Sequence, residues 1–222
     1  MTLPCTLWLV RHGETDWNVA GRLQGQLEVP LNARGRRQAE LLAARLGREH
    51  AATPFSAIFT SDLGRARETA EAAATVLGLP AIAREELRER HFGVMSELTL
   101  PEIEAQHPEL FARLRVRDAE FVPTGGESLS QTFARTMRVL SAIAAEWPGA
   151  QVLVVSHGGV IDSAWRAAMG VTLSVKREHE LFNASINRVR VTEGRFELAG
   201  WGDVAHLEGS EDAAASRWGR SG

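Results

Sequence analysis

The chain contains one cysteine, Cys5, in 222 residues. A lone thiol closes no internal disulfide, and no Cys-x-x-Cys pair exists to hold zinc. Such cysteine usage fits a reducing compartment, so a cytoplasmic location is the expectation. Long hydrophobic runs are also missing: no stretch has the roughly 20 apolar residues a bilayer-crossing helix needs. The first ten residues lack a basic stretch followed by a long apolar one, and Arg11 ends the only apolar run there, so no signal peptide is expected. There is no excess of positive charge, since 25 Lys+Arg against 28 Asp+Glu give −3. Bulk attraction to nucleic acid is thereby disfavoured, although a local positive pocket is not. Glycine and proline, at 20 and 8 residues, are too few for wholesale disorder. Neither Gly-x-Gly-x-x-Gly after a strand nor Gly-Lys-Ser/Thr occurs, which sets aside dinucleotide oxidoreductases and phosphate-loop nucleotide kinases. No internal repeat is present.

What is there is globular in character, with 44% hydrophobic and 24% charged residues. At roughly 150 residues per domain, the length suggests one large domain or one domain with an insertion. A chain of this size buries a sizeable core unaided. Residues 6–10 form an apolar run that ends in Arg11-His12-Gly13, which predicts a buried strand delivering polar groups to its carboxyl end. Residues 13–31 read as a loop, with Gly21, Gly25 and Pro30. Asn32 caps a predicted helix to about Glu49, with Ala39, Leu42, Ala43 and Leu46 on one face. Residues 55–60 form a second buried strand. Ser61 or Asp62 is the expected cap of a helix through Leu77, stopped by Gly78 and Pro80. Residues 81–83 are a weak third strand.

The alternation breaks over residues 84–126, a charged stretch with Pro101, Pro108 and Pro123 that predicts two short helices lying over one end of the sheet. Ser128 opens a long helix to about Trp147, with Leu129, Phe133, Met137, Leu140, Ile143 and Trp147 at three- and four-residue spacing. Residues 151–156 are the clearest buried strand, and Gly158-Gly159 opens a further helix to about Met169. Residues 183–192 and 195–201 flank Glu193-Gly194 and alternate in polarity, as a hairpin does. These elements predict an α/β fold, a three-layer α/β/α sandwich whose sheet is mainly parallel and becomes mixed through the closing hairpin. One domain over residues 1–208, with a small helical cap at about 94–124, is expected, followed by a flexible small-residue tail at 209–222.

In such a sheet, ligands bind outside the carboxyl ends of the strands. Arg11 and His12 arrive there from the first strand, Arg65 from the helix after the second, and His157, Gly158 and Gly159 from the strand near the C-terminus. An acidic run with Glu85, Glu86 and Glu89 follows the third strand. Two imidazoles, two guanidinium groups and a carboxyl suit a phosphoryl group. A neutral imidazole attacks phosphorus if its other ring nitrogen is held by a fixed acceptor. Guanidinium groups bind phosphate oxygens in pairs and neutralise developing charge. A carboxyl protonates the leaving oxygen and later deprotonates water. Backbone donors at a helix N-terminus add to the anion site. This chemistry calls for neither metal nor cofactor.

The motifs themselves carry a resemblance. Leu9-Val10-Arg11-His12-Gly13-Glu14-Thr15 is similar to the signature of the histidine phosphatase superfamily, the phosphoglycerate-mutase-like group. Trp17-Asn18, Leu23-Gln24-Gly25, Pro30-Leu31-Asn32, Gly35 and Gln38-Ala39 continue the likeness. Thr60-Ser61-Asp62-Leu63, Arg65-Ala66, Thr69-Ala70, Leu87-Arg88-Glu89-Arg90-His91-Phe92-Gly93, Gly125-Gly126-Glu127-Ser128 and Val155-Ser156-His157-Gly158-Gly159 complete it, in order, over about residues 6–207. The resemblance implies a three-layer sandwich with a mixed sheet. It implies His12 as the nucleophile that becomes phosphohistidine, and Arg11, Arg65 and His157 around the phosphate. It places Asn18, Gln24, Gly25 and Gly158 against the phosphate or nearby substrate. It singles out Glu89 as proton donor and then base. The implied partner is a small phosphorylated substrate, with no nucleic acid and no membrane, and a homodimer stays open.

Within that group, cofactor-dependent mutases carry a Gly-Leu-Asn-Lys-like segment after the acid/base motif and an adjacent arginine pair. Here Met95-Ser96-Glu97-Leu98-Thr99 stands instead, Arg113, Arg115 and Arg117 alternate, and residues 93–125 form a short stretch. Gly126-Glu127-Ser128 resembles the phosphatase branch. Metal-independent hydrolysis of a small phosphomonoester is therefore the expectation, with a phosphoglycerate mutase as the alternative. A catalytically silent binding module would have lost His12, Arg65 or His157, and all are present. Glu97 stands where many phosphatase members have glycine, which bears on the cap backbone and the charge at the pocket mouth. The three alternating arginines form a solvated face or supply one contact to an anionic substrate tail. His50, His107, His179 and His206 are expected to be surface or structural residues, His91 a neighbour of the site, and Trp17 a support beneath the phosphate loop.

Overall fold

A computed structural model describes residues 2–208, and the expected flexible tail at 209–222 lies outside them. Six strands build one sheet: β1 (Cys5–Arg11), β2 (Phe55–Ser61), β3 (Ala81–Arg84), β4 (Gln151–Ser156), β5 (Ile186–Thr192) and β6 (Arg195–Asp203). Their order is β3-β2-β4-β1-β5-β6. The first four in that order run parallel, β5 is antiparallel to β1, and β6 is antiparallel to β5. The mixed sheet is the one the sequence pattern predicts.

Strand alternation divides the core between two faces. Leu7, Leu9, Val152 and Val154 join Leu140 and Ile143 of α6 (Leu129–Glu146) and Val160, Ile161 and Ala164 of α7 (Gly158–Met169). Trp8, Val10, Leu153 and Val155 join Leu42 and Leu46 of α2 (Ala33–Ala52) and Ala66, Ala70 and Ala73 of α3 (Gly64–Leu77). Each fully buried leucine or valine here contributes about 1.5–3 kcal/mol relative to exposure. Both central strands are covered on both sides, which is why their sequences are continuously apolar.

Helix starts follow local chemistry. The Asn32 side chain accepts from Gly35 N–H at 2.8 Å, and Ser128 forms a reciprocal capping box with Gln131. The expected cap of α3 is corrected. Leu63, which has no capping side chain, occupies that position, because Asp62 is taken by Arg88 at 2.8 Å and Ser61 Oγ accepts from Leu63 N–H instead. The predicted loop 13–31 contains a one-turn helix, α1 (Asp16–Val19), closed by Thr15 and Asn18. The buried face of α6 is also rotated from the predicted one. It presents Thr132, Thr136, Val139, Leu140, Ile143 and Ala144, and leaves Phe133 and Met137 half-buried beside Met169 and Phe196.

Residues 93–126 contain two short helices, α4 (Leu100–Gln106) and α5 (Pro108–Arg115). They enclose a small apolar cluster of Leu23, Phe92, Met95 and Ile103 against the loop after β1. Arg22 clamps this segment, donating to both carboxylate oxygens of Glu102 at 2.8 and 3.0 Å. No helix among the described residues is long and apolar enough to cross a membrane.

β1 and β4 are neighbours, and from them the chain leaves toward opposite faces of the sheet. A crevice therefore opens at their carboxyl ends. Arg11 pairs with Ser156 in the ladder, so the next residues, His12 and His157, stand side by side in that crevice.

Candidate active site

The two imidazoles meet with ring centroids 5.2 Å apart, tilted by 59°. Both are buried, at 3% exposure for His12 and 0% for His157. Burial drives both pKa values well below 6.5, and the nearby positive charges of Arg65 and Arg11 add to the effect. Both rings are neutral at ordinary pH. His12 Nδ1 lies 2.7 Å from the carbonyl oxygen of Gly13. A carbonyl only accepts, so the proton sits on Nδ1 and Nε2 carries the lone pair. That Nε2 accepts from Arg65 Nε at 3.3 Å.

Arg65 is 1% exposed, and its other two nitrogens donate to the carbonyls of Leu27 and Gly25 at 2.8 and 2.7 Å. The glycine at position 25, with φ of +53°, turns its carbonyl toward this guanidinium. Arg11 is 3% exposed and donates through Nη1 to the Leu181 carbonyl at 2.5 Å. Burial lowers Arg11 to about 9 and Arg65 to about 10, with Glu89 opposing the shift in each. Both remain charged near neutrality.

Glu89 sits across the crevice at 8% exposure. Its two carboxylate oxygens accept from Gly159 N–H, both at 3.1 Å, and Oε1 also accepts from Arg90 N–H at 2.8 Å. The first turn of α7 thus turns a backbone donor toward the carboxyl group. Among the described residues, Arg11 Nε, Gln24 Oε1 and both ring nitrogens of His157 are buried without a hydrogen-bond partner. Each such group costs about 1–3 kcal/mol if left unpaired. Of these residues, Arg11 precedes His12 in the chain and the His157 ring lies 5.2 Å from that of His12. A tetrahedral anion with several acceptor oxygens matches this mixture of guanidinium donors and neutral imidazoles.

The structure thus brings together His12, Arg11, Arg65, His157 and Glu89, drawn from four separate segments. Asn18 stands at the edge, its Oδ1 accepting from Thr15 N–H at 3.1 Å and from Asn183 Nδ2 at 3.2 Å. Gln24 is 7% exposed. Gly158 is the first residue of α7, but the backbone donor to Glu89 is its neighbour Gly159. A β-carbon at Gly159 would lie 2.2 Å from Glu89 Oε1.

Sequence reasoning did not single out Asn183, whose Nδ2 donates to the His12 carbonyl at 2.8 Å. The available signal was topological. An antiparallel strand beside β1 begins where β1 ends, so residues just before β5 fall at this rim. Thr69, part of the second motif of the resemblance, carried no assigned role. Its Oγ1 accepts from Gly13 N–H at 3.1 Å and donates to the Arg65 carbonyl at 2.8 Å.

Of the three alternating arginines, Arg113 pairs with Asp118 and lies over Phe121, and Arg115 lies over the Phe111 ring. Only Arg117 turns inward, donating to the Leu173 carbonyl at 2.9 Å and approaching Asp162 at 3.7 Å. His91 contacts the site's support as expected, through Gly93 N–H and Glu127. His179 is buried against Trp165, with ring centroids 4.0 Å apart. No group of three or more His, Cys, Asp or Glu side chains able to hold a metal ion occurs among the described residues.

The sequence profile of the histidine phosphatase superfamily, branch 1, matches residues 7–204. The chain belongs to this family. Over 203 residues it is 38% identical to phosphoglycerate mutase-like protein 4 of Arabidopsis thaliana, covering 90% of this chain and 86% of that one. Over 202 residues it is 39% identical to the metal-independent phosphoserine phosphatase of the same plant, covering 90% and 82%. Among solved structures, YhfR of Bacillus stearothermophilus superposes with a TM-score of 0.82 at 34% identity, covering 92% of this chain and all of that one.

Proposed function

We propose that the protein hydrolyses a small phosphomonoester without a metal ion, through a phosphohistidine on His12. The observation that carries the reading is the neutral His12 ring with its proton held on Nδ1 by Gly13 and its Nε2 lone pair beside Arg65. Attack by Nε2 on phosphorus forms the N–P bond as the ester P–O bond breaks. The leaving alkoxide takes a proton from Glu89. Arg11, Arg65 and His157 bind the phosphoryl oxygens, and Gly158, Gly25, Gln24 and Asn18 shape the same pocket. In the second half, Glu89 as carboxylate takes a proton from water while the water oxygen attacks phosphorus. The N–P bond breaks and inorganic phosphate leaves.

Hydrolysis is favoured over mutase action by the short 93–125 stretch and by the phosphoserine phosphatase relative. The mutase-like relative keeps the phosphoglycerate mutase as second reading. We read residues 1–208 as one domain and about 94–124 as the cap that selects the substrate. The single buried Cys5 supports a cytoplasmic location. Light scattering on the purified protein tests whether the chain forms a homodimer.

The functional test is phosphate release from a phosphomonoester panel in the presence of a chelator. It runs beside interconversion of 3- and 2-phosphoglycerate with bisphosphoglycerate added. Release that persists in chelator and vanishes in His12→Ala is expected. Isomerisation much faster than release would instead assign the mutase, and full activity in His12→Ala would remove the mechanism.

A further inference from the structure

Arg135 and Glu127 lie against the acid/base segment. The Arg135 Nε and Nη2 donate to Glu127 Oε1 and Oε2 at 3.0 and 2.8 Å. Its Nη1 donates to the carbonyls of Glu86 and Arg88, both at 2.8 Å, and Nη2 also reaches the Glu89 carbonyl at 3.4 Å. A guanidinium has five N–H donors in a planar fork, and here all are directed at this segment and its partner. Glu127 grips the next residues. Its Oε2 accepts from His91 N–H at 3.0 Å, its own N–H donates to the His91 carbonyl at 2.8 Å, and its carbonyl accepts from Arg90 Nε at 2.8 Å.

An ordinary surface ion pair contributes about 0–1 kcal/mol and organises nothing beyond itself. This pair is shielded, with side chains 15% and 23% exposed, and its hydrogen bonds span residues 86–91 on both sides of Glu89. Burial pushes the Glu127 carboxyl upward, but the hydrogen bonds from Arg135 and His91 N–H outweigh it and hold the pKa below the usual range. Among the described residues, the N–H groups of Gly159 and Arg90 hold the tip of Glu89. The place its carboxyl reaches therefore depends on where its main chain is anchored.

We infer that the Glu127–Arg135 pair is the positioning device of the proton donor: it anchors residues 86–91 so that the Glu89 carboxyl stands at the leaving-group oxygen. Neither residue touches substrate. The inference rests on the reading of Glu89 as proton donor in phosphomonoester hydrolysis.

The test separates positioning from mere support of the fold by varying how much the leaving group needs a proton. Nitrophenolate departs from p-nitrophenyl phosphate unassisted, whereas the serine alkoxide of phosphoserine requires protonation. Single-turnover transfer to His12 is measured for both in Arg135→Lys, Glu127→Gln and Glu89→Gln. Displacing a catalytic group by about 1 Å costs on the order of a hundredfold. Arg135→Lys and Glu127→Gln are therefore expected to slow phosphoserine about ten- to a hundredfold and p-nitrophenyl phosphate less than about threefold, with KM within about twofold. Glu89→Gln should show the same split, larger, at roughly 10² to 10⁴. Glu127→Gln keeps its shape and carries the test if Arg135→Lys does not fold. Equal losses on both substrates, or none, while Glu89→Gln shows the split, would overturn the positioning role alone. If Glu89→Gln shows no split, the proton-donor assignment falls and the inference falls with it.

Discussion

Glu97 adopts φ of +72°, where a β-carbon crowds the following carbonyl. It is held there from both sides, its N–H donating to the Leu23 carbonyl at 2.8 Å and its carbonyl accepting from Arg22 at 2.6 Å. The left-handed backbone costs a non-glycine residue roughly 1–2 kcal/mol, and a glycine costs about 0.4–1 kcal/mol through the entropy of the unfolded chain. Glu97→Gly is thus expected to stabilise the protein by about 0.5–1 kcal/mol in urea unfolding; a loss of stability would contradict the strain. The sequence marked this position as the departure from a glycine, but the handedness of the backbone became visible only in the structure. The opposite trade holds at Gly159, where a β-carbon would meet Glu89 Oε1 at 2.2 Å. Displacing this buried carboxyl from its N–H donors costs about 1–3 kcal/mol, more than the alanine preference of a first helical turn returns, and moves the proton donor at a cost on the order of a hundredfold in kcat. Gly159→Ala should therefore lower turnover without raising the melting temperature, and wild-type turnover would refute it. The pair Gly158-Gly159 was plain in the sequence. Which of the two faces Glu89 depends on the direction of one N–H, and no residue pattern encodes that.

Between α7 and β5, residues 171–182 run as a strap along the crevice, held by side chains from distant elements. Arg166 donates to the Thr172 carbonyl at 2.6 Å, Arg117 to Leu173 at 2.9 Å, Arg11 to Leu181 at 2.5 Å and Trp201 to Glu180 at 3.3 Å. Asp162 organises these cations. Its Oδ2 accepts from Arg166 Nε at 2.8 Å, and His179 Nε2 lies 3.3 Å from Oδ1. Burial pushes the Asp162 pKa up, but His179 and Arg166 outweigh it and hold it at about 2. Removing one partner of a buried pair costs roughly 3–5 kcal/mol, because the other charge is left uncompensated. Asp162→Asn is expected to lose about that much stability and to raise amide exchange across residues 172–181 more than in the central strands; exchange confined to α7 would rule out the strap. At this scale β4 was legible at once, because a strand buried on both faces must be apolar throughout. The strap was not. Its charged 176–180 stretch carries no periodicity or motif, and arginines from β1, α7 and the residues after α5 are brought to the strap only by the fold. The start of α3 was misread for a related reason, since Asp62 is an apt cap locally but is claimed by Arg88, 26 residues further along.

Over the whole molecule, the sum of −3 conceals where the charge lies. Buried positive groups surround two imidazoles that cannot take up protons, and this has a consequence for stability. The folded-state pKa values of His12 and His157 lie well below 6.5, each chiefly through burial, and that of His206 is also lowered, chiefly through burial. A histidine that must stay neutral when folded contributes its full stability above its unfolded pKa of about 6.5 and loses it as pH falls below that value, since the unfolded chain then binds the extra proton. At pH 5.5 the loss is about 1.4 kcal/mol for each such ring, and at pH 7.5 it is close to zero. Asp162, held at about 2, adds its own loss only at lower pH, as acidity passes from its unfolded value down through the folded one. Urea unfolding should therefore show wild-type protein losing about 2.7 kcal/mol through His12 and His157 between pH 7.5 and pH 5.5. His157→Gln, which carries one buried imidazole fewer, should lose about 1.4 kcal/mol less over the same interval. Identical pH slopes for the two proteins would mean that His157 takes up a proton in the folded state. The crevice would then hold an imidazolium beside Arg11 and Arg65, and the neutral pair on which the phosphohistidine chemistry depends would not exist.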